Sequence, residues 1–301
     1  MHATRKAMLE RIKGIDVLIE MLDARLPGSS ANPMLAQITE GKPTLKVLNK
    51  QDLADPLRTE QWLTHYNSLP GTQAMALDAG TTAPARALIR ACFELAPQRG
   101  GMVKPMRVLI GGIPNVGKST LINTLVGKRA ARTGDEAGVT QQEQRIALAD
   151  DFYLYDTPGV LWPKIIVPQS GYHLAASGAV GRNAYDEEEV ALELLKPLRA
   201  AYPAQLEARY RWGWPVDVVA AKHDDELLAA IGRKRGALLP GGRLNMPKAA
   251  EALLTDFRSG ALGRITLETP PEYTLWLKAA LEDEAERAAE RKARLAARRG
   301  G

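Results

Sequence analysis

The chain predicts an α/β fold, a mostly parallel sheet flanked by helices, followed by a smaller all-α C-terminal domain. Three observations carry this. Short apolar runs at Val17–Leu22, Leu45–Leu48 and Val108–Ile110 each stop abruptly at polar or glycine-containing turns, as strands buried on both faces do. Segments of helical spacing lie between them. From about Gly171 the helical pattern takes over, and a boundary is set between residues 1–167 and 168–301.

A chain of 301 residues can bury a real core. No apolar stretch is long enough to span a membrane, and Met1–Lys6 lack the apolar core of a signal peptide, so a cytoplasmic protein is expected. Cys92, the single cysteine, lies among Ala91, Phe93 and Leu95 and reads as a buried thiol. The formal charge of +5 fits an anionic partner without naming one.

The first strand, Val17–Leu22, ends in Asp23-Ala24-Arg25, where polar groups emerge at a carboxyl edge, and Pro27-Gly28-Ser29-Ser30 is a loop. The second, Leu45–Leu48, runs into Asn49-Lys50-Gln51-Asp52, an N-K-x-D. A carboxylate at Asp52 can accept from guanine N1–H and the exocyclic amine, a donor pair that adenine lacks. Asn49 would tie this loop to a phosphate loop, and the Lys50 stem would lie over the base. A helix is expected at Thr59–Tyr66, a short strand at Ala74–Leu77 and a helix from Pro84 to Leu95. Leu77 and Asp78 occupy the place of a base-supporting element but depart from its usual Ser-Ala pattern. Pro97–Pro105 is a connector.

Gly112-Ile113-Pro114-Asn115-Val116-Gly117-Lys118-Ser119-Thr120 is a complete G-x-x-x-x-G-K-[ST]. Backbone N–H groups from Asn115 to Thr120 would wrap the phosphates, with Lys118 on the outer ones and Ser119 on Mg²⁺. Leu121–Val126 continues the helix. The polar stretch Gly134–Gly138 precedes Thr140, the candidate for a switch threonine that meets Mg²⁺ and the γ-phosphate. A hairpin, Arg145–Leu148 and Phe152–Tyr155, leads to Asp156-Thr157-Pro158-Gly159, a D-x-x-G in which Asp156 would hold Mg²⁺ and the Gly159 N–H would sense the γ-phosphate. GTP/GDP with Mg²⁺ is the expected ligand. Ordinary GTPases place N-K-x-D last. Here it precedes the phosphate loop, so the domain is a circularly permuted P-loop GTPase whose D-x-x-G leads directly into the C-terminal region.

The permuted order, Asp23-Ala24-Arg25, Ser29–Pro33, the four nucleotide motifs, Val160-Leu161-Trp162-Pro163, Gly232–Gly236, Gly241-Gly242 and Phe257–Arg264 together resemble the YlqF/RbgA family of ribosome-assembly GTPases. The resemblance covers nearly the whole chain. It implies a GTP-hydrolysing factor that binds the large ribosomal subunit precursor and its rRNA and leaves once the particle is mature. It implies no DNA contact, no integral membrane association and a monomer. A GTP-switched binding module acting on another RNA or protein target is the alternative, and guanine reading by Asn49 and Asp52 argues against a metabolic P-loop kinase.

Val160 stands where Ras-like enzymes carry a water-orienting glutamine. The family's histidine, in a Pro-Gly-His-Met segment, aligns just before Met1. An in-frame Pro-Gly-His upstream is therefore expected, with His2 reaching the water as the alternative and weak hydrolysis expected if that histidine is missing. Asn115 in the phosphate loop implies, by similarity, a K⁺ beside the phosphates.

Beyond Gly171, helices are expected at Glu187–Leu195, Ala204–Tyr210, Glu226–Ile231, Lys248–Ser259 and Leu275–Arg299. Trp212-Gly213-Trp214-Pro215 reads as a packed turn. Arg233-Lys234-Arg235, with Gly236 and Gly241-Gly242-Arg243, suits phosphate contacts on a loop, and the basic end of the last helix suits rRNA.

Overall fold

The computed structural model describes residues 12–78, 84–126, 145–149, 151–156 and 165–299. Among these residues six strands form one sheet: β1 (Val17–Asp23), β2 (Thr44–Asn49), β3 (Thr72–Ala76), β4 (Met106–Gly112), β5 (Arg145–Ala149) and β6 (Phe152–Asp156). The order across the sheet is β3-β2-β1-β4-β6-β5, parallel except for β5 against β6. Every residue of β1 is buried, because helices cover both faces of a parallel sheet.

The flanking helices are α1 (Pro33–Ile38), α2 (Pro56–Asn67), α3 (Pro84–Leu95) and α4 (Lys118–Val126). Two of them start on sequence signals: Asn32 and Asp55 accept from the first helical N–H groups, each followed by proline at the first helical position. One core fills the sheet face lined by Val17, Ile19, Val47, Val108, Ile110 and Leu154, and Cys92 is fully buried within it. Burial pushes that thiol up to about 12, so it is inert as a nucleophile at neutral pH.

A second core is helical. It joins α5 (Pro168–Ser177), α6 (Glu187–Ala201), α7 (Pro203–Tyr210), α8 (Val216–Ala221), α9 (Asp224–Lys234) and α10 (Met246–Arg258) through Leu194, Leu198, Leu228, Leu253 and Phe257. The last helix, α11 (Pro270–Arg299), starts by docking back on the sheet half. Tyr273 packs on Trp62, and a Cβ on Gly28 would lie 2.5 Å from the Tyr273 ring, so only glycine fits there.

Boundaries differ from expectation in instructive places. β3 starts two residues earlier, its register with β2 beginning at Thr44 against Thr72. α6 continues through Pro197 to Ala201, because Leu198 and Tyr202 are buried in the helical core. α1 and α8, each six residues, were too short to leave a helical period. The Arg233–Arg235 cluster is not a free loop: Arg233 and Lys234 end α9, and Arg235 is spent on buried Asp256. Arg209 and the Tyr210 hydroxyl reach the same carboxylate, Arg209 Nη2 at 2.7 Å. Trp212 stacks between Tyr210 and Trp214, with centroids 5.2 and 4.8 Å away, which is a packed turn.

Candidate nucleotide site

Parallel strands bring their carboxyl ends to one edge of the sheet, the place where open α/β sheets bind ligands. β2 delivers Asn49, β4 delivers Gly112 and β6 delivers Asp156, so three motifs separated in sequence converge. The phosphate-loop segment Ile113–Thr120 lines an open groove of about 490 Å³.

The loop's conformation follows from its residues. Asn115 and Gly117 have φ of +59° and +96°, and Asn is among the few non-glycine types that tolerate the left-handed region. Alternating handedness of this kind turns successive N–H groups inward, and Lys118 then opens α4. Gly112 is required for a different reason, since a Cβ there would lie 2.8 Å from the Met21 carbonyl oxygen in the neighbouring strand. The Lys118 ammonium pairs with the Asp156 carboxylate, a cation beside an acid. Ser119 and Thr120 are exposed at the start of α4.

The second loop is bolted to the first. Asn49 Nδ2 donates to the Val116 carbonyl at 2.6 Å, joining N-K-x-D to the phosphate loop. Lys50 is left-handed, at φ +62°, and its Nζ donates to Asp23 Oδ2 at 2.9 Å. Gln51–Leu53 form one 3₁₀ turn, which leaves Asp52 exposed, and the Gln51 N–H faces the buried Leu77 carbonyl at 3.4 Å. Asp78 is half-buried. Asp23 is fully buried and takes a two-pronged bond from Arg25, Nε at 2.9 Å and Nη2 at 2.8 Å. Burial works to raise that carboxyl, yet Arg25 and Lys50 together hold it well below the usual carboxylate range.

Asn115 points elsewhere: its Nδ2 donates to the Gly178 carbonyl at 2.7 Å, just past the end of α5. The phosphate loop thus touches the first helix of the helical half. Three expected residues, His2, Thr140 and Gly159, lie outside the described residues, as does Val160. Among the described residues no cluster of His, Cys, Asp and Glu could hold a metal by itself. The donors at this edge, one lysine, one hydroxyl and one carboxylate beside the loop's N–H groups, fit a phosphate-bound Mg²⁺.

Contacts that local patterns did not reveal come from residues 264–268. Ile265 N–H donates to Leu53 O at 2.9 Å, Leu267 N–H to Arg25 O at 2.7 Å and Thr266 Oγ1 to Ala24 O at 3.0 Å. Glu268, fully buried, accepts from the Ser29 N–H at 2.7 Å and from Ser29 Oγ at 2.5 Å, with His173 Nδ1 2.8 Å away. Most of these partners lie more than 200 residues apart and leave no local period in the sequence.

A phosphate loop on β4, an aspartate ending β6 and a guanine-type loop ending β2, in that permuted order, define a circularly permuted P-loop GTPase. Residues 107–208 match the family described as "50S ribosome-binding GTPase". "Ribosome biogenesis GTPase A" of Priestia megaterium is 41% identical over 281 residues, covering 90% of this chain and 95% of that protein. "Mitochondrial ribosome-associated GTPase 1" of Bos taurus is 31% identical over 282 residues, covering 87% and 85%. The chain belongs to the ribosome biogenesis GTPase A (YlqF/RbgA) family, and is a GTPase acting in ribosome assembly. The structure of GNP-bound YlqF from T. maritima shares the fold, with a TM-score of 0.62 at 24% identity over 90% of this chain and all of that one.

Proposed function

We propose that the protein binds an immature large ribosomal subunit in its GTP state and leaves the matured particle after hydrolysis. The observation that carries this is the Asn115 contact to Gly178, which lets the state of the phosphate loop reach the helical half. Supporting it, α11 carries exposed Arg287, Arg291, Lys292 and Arg294 toward its end, a charge pattern suited to rRNA phosphates. In this reading residues 1–167 are the nucleotide-binding domain and 168–301 the ribosome-binding one.

Within the site, Asp52 reads guanine, Asn49 holds the two loops in register, and Leu77 and Asp78 back the base. Lys118, paired with Asp156 in this structure, would contact the phosphates, and Ser119, Thr140 and Asp156 would hold the metal. Mg²⁺ supplies charge neutralisation across the phosphate oxygens when bound. Gly159 senses the γ-phosphate, and His2 is the candidate in this chain to orient water. Asn115, whose Nδ2 donates to Gly178 O, would offer its Oδ1 to a K⁺. Hydrolysis should be faster in potassium than in sodium buffer; equal rates would remove the K⁺ assignment.

Sedimentation with large-subunit precursors, in GTP analogue and in GDP, tests the whole reading. Co-sedimentation that depends on the analogue is expected. Absence of any nucleotide-dependent association overturns it.

A further inference from the structure

Residues 257–268 run from the end of α10 across the back of the N-K-x-D turn, and we propose that Arg264 is a positioning residue for guanine recognition, through which the helical half senses whether the nucleotide site is loaded. The proposal rests on Asp52 as the guanine reader. Arg264 Nε donates to Ala54 O at 2.8 Å and its Nη2 to Gln51 O at 3.0 Å. These two carbonyls bracket Asp52 and Leu53. With Ile265 N–H on Leu53 O, three carbonyls of one short turn are held from the far end of the chain.

The turn needs such help. It is a single 3₁₀ turn entered through a left-handed Lys50, and Asp52 itself is exposed. Its aim is therefore set by its backbone. A planar guanidinium can bridge two carbonyls at fixed spacing, which an ammonium cannot. The same strap also reaches the other side of the loop: Arg25 Nη1 donates to Phe257 O at 3.2 Å while Arg25 holds Asp23, and Asp23 holds Lys50. Close packing makes the strap a tight fit, since a Cβ on Gly260, at φ +76°, would lie 2.6 Å from Leu53 Cδ2.

GTP and GDP present the same base. A clamp on the base loop hence reports loading, whereas the phosphate-loop contact to Gly178 reports the phosphates. Linkage makes the effect reciprocal: a partner that draws residues 257–268 off the turn lowers affinity for both nucleotides and promotes exchange.

Two measurements on the full chain test this. In the unaltered protein, GDP should slow amide hydrogen exchange in residues 260–268, the Ile265 N–H above all. Arg264→Ala should weaken GTP and GDP binding alike, by about five- to tenfold, and narrow the preference for GTP over ITP, whose base lacks the amine that Asp52 accepts. Arg264→Lys should fall between. Unchanged exchange at 260–268 on GDP binding overturns the proposal, and so does an affinity loss that leaves the GTP-to-ITP ratio intact, which would mark mere packing. Should the unaltered protein show no preference for GTP over ITP, the Asp52 assignment fails instead, and the exchange measurement alone decides the clamp.

Discussion

Asp23 carries an unusual load for one side chain. It is buried, it holds Lys50 of the N-K-x-D turn, and it neutralises Arg25, whose guanidinium also lies 4.8 Å from the Phe257 ring centre. Asp23→Ala strands a buried guanidinium and should cost about 3–5 kcal/mol in urea unfolding. The pH dependence has a definite sign. The folded carboxyl titrates below its unfolded value of about 3.9, so the unfolded chain takes up the proton first and stability falls as pH drops below about 4. Asp23→Asn should flatten that acid limb, measured by denaturation at pH 3 and pH 5. Lys118 pairs with Asp156, and in the proposed function it binds phosphate. Lys118→Ala should reduce GDP affinity by about tenfold or more in titration calorimetry, because a charged hydrogen bond to phosphate is lost.

At the scale of elements, the junction of β4 with the phosphate loop is the least forgiving. Gly112→Ala pushes a methyl against the Met21 backbone of β1 and should cost about 1–3 kcal/mol of stability, visible as a lowered urea midpoint with unchanged slope. Strand ends were legible in the sequence because buried parallel strands are continuous apolar runs. Two helix starts were not: α1 was missed and α2 was expected only from Thr59, although Asn32-Pro33 and Asp55-Pro56 carry the cap and proline that open them. The clamp by Arg264 was not legible, because an arginine bonding two carbonyls has no local signature. Nor was the fate of Arg235: a charge run looks solvated until Asp256, Arg209 and Tyr210 are seen around it. Lys50 belongs to the same lesson, as its ammonium is anchored on Asp23 while its stem was expected on the base.

For the whole molecule, the two halves are joined on two faces of the nucleotide site. Asn115 links the phosphate side to Gly178, and residues 264–268 link the base side to β1 and the N-K-x-D turn. The end of α11 takes no part in either. Removing residues 282–301 should therefore leave GDP affinity unchanged while weakening rRNA binding and shallowing its salt dependence, read from binding curves across salt concentrations. Full retention of salt-dependent binding would show that the tail is dispensable.

The position of β1 has a consequence for synthesis. Of the described strands it is the first made, yet it lies between β2 and β4, so one of its edges stays unpaired until residue 112 is in place. An open apolar edge invites pairing with other chains. β1 carries Glu20 and Asp23 among its apolar residues, and their partners Lys46, the Asn32 N–H, Arg25 and Lys50 all come from the first fifty residues. A nascent β1–β2 pair can thus settle its own charges while it waits. Acidic side chains that look costly in the finished sheet would then serve as gatekeepers, since a charge in an apolar run disfavours pairing with other chains.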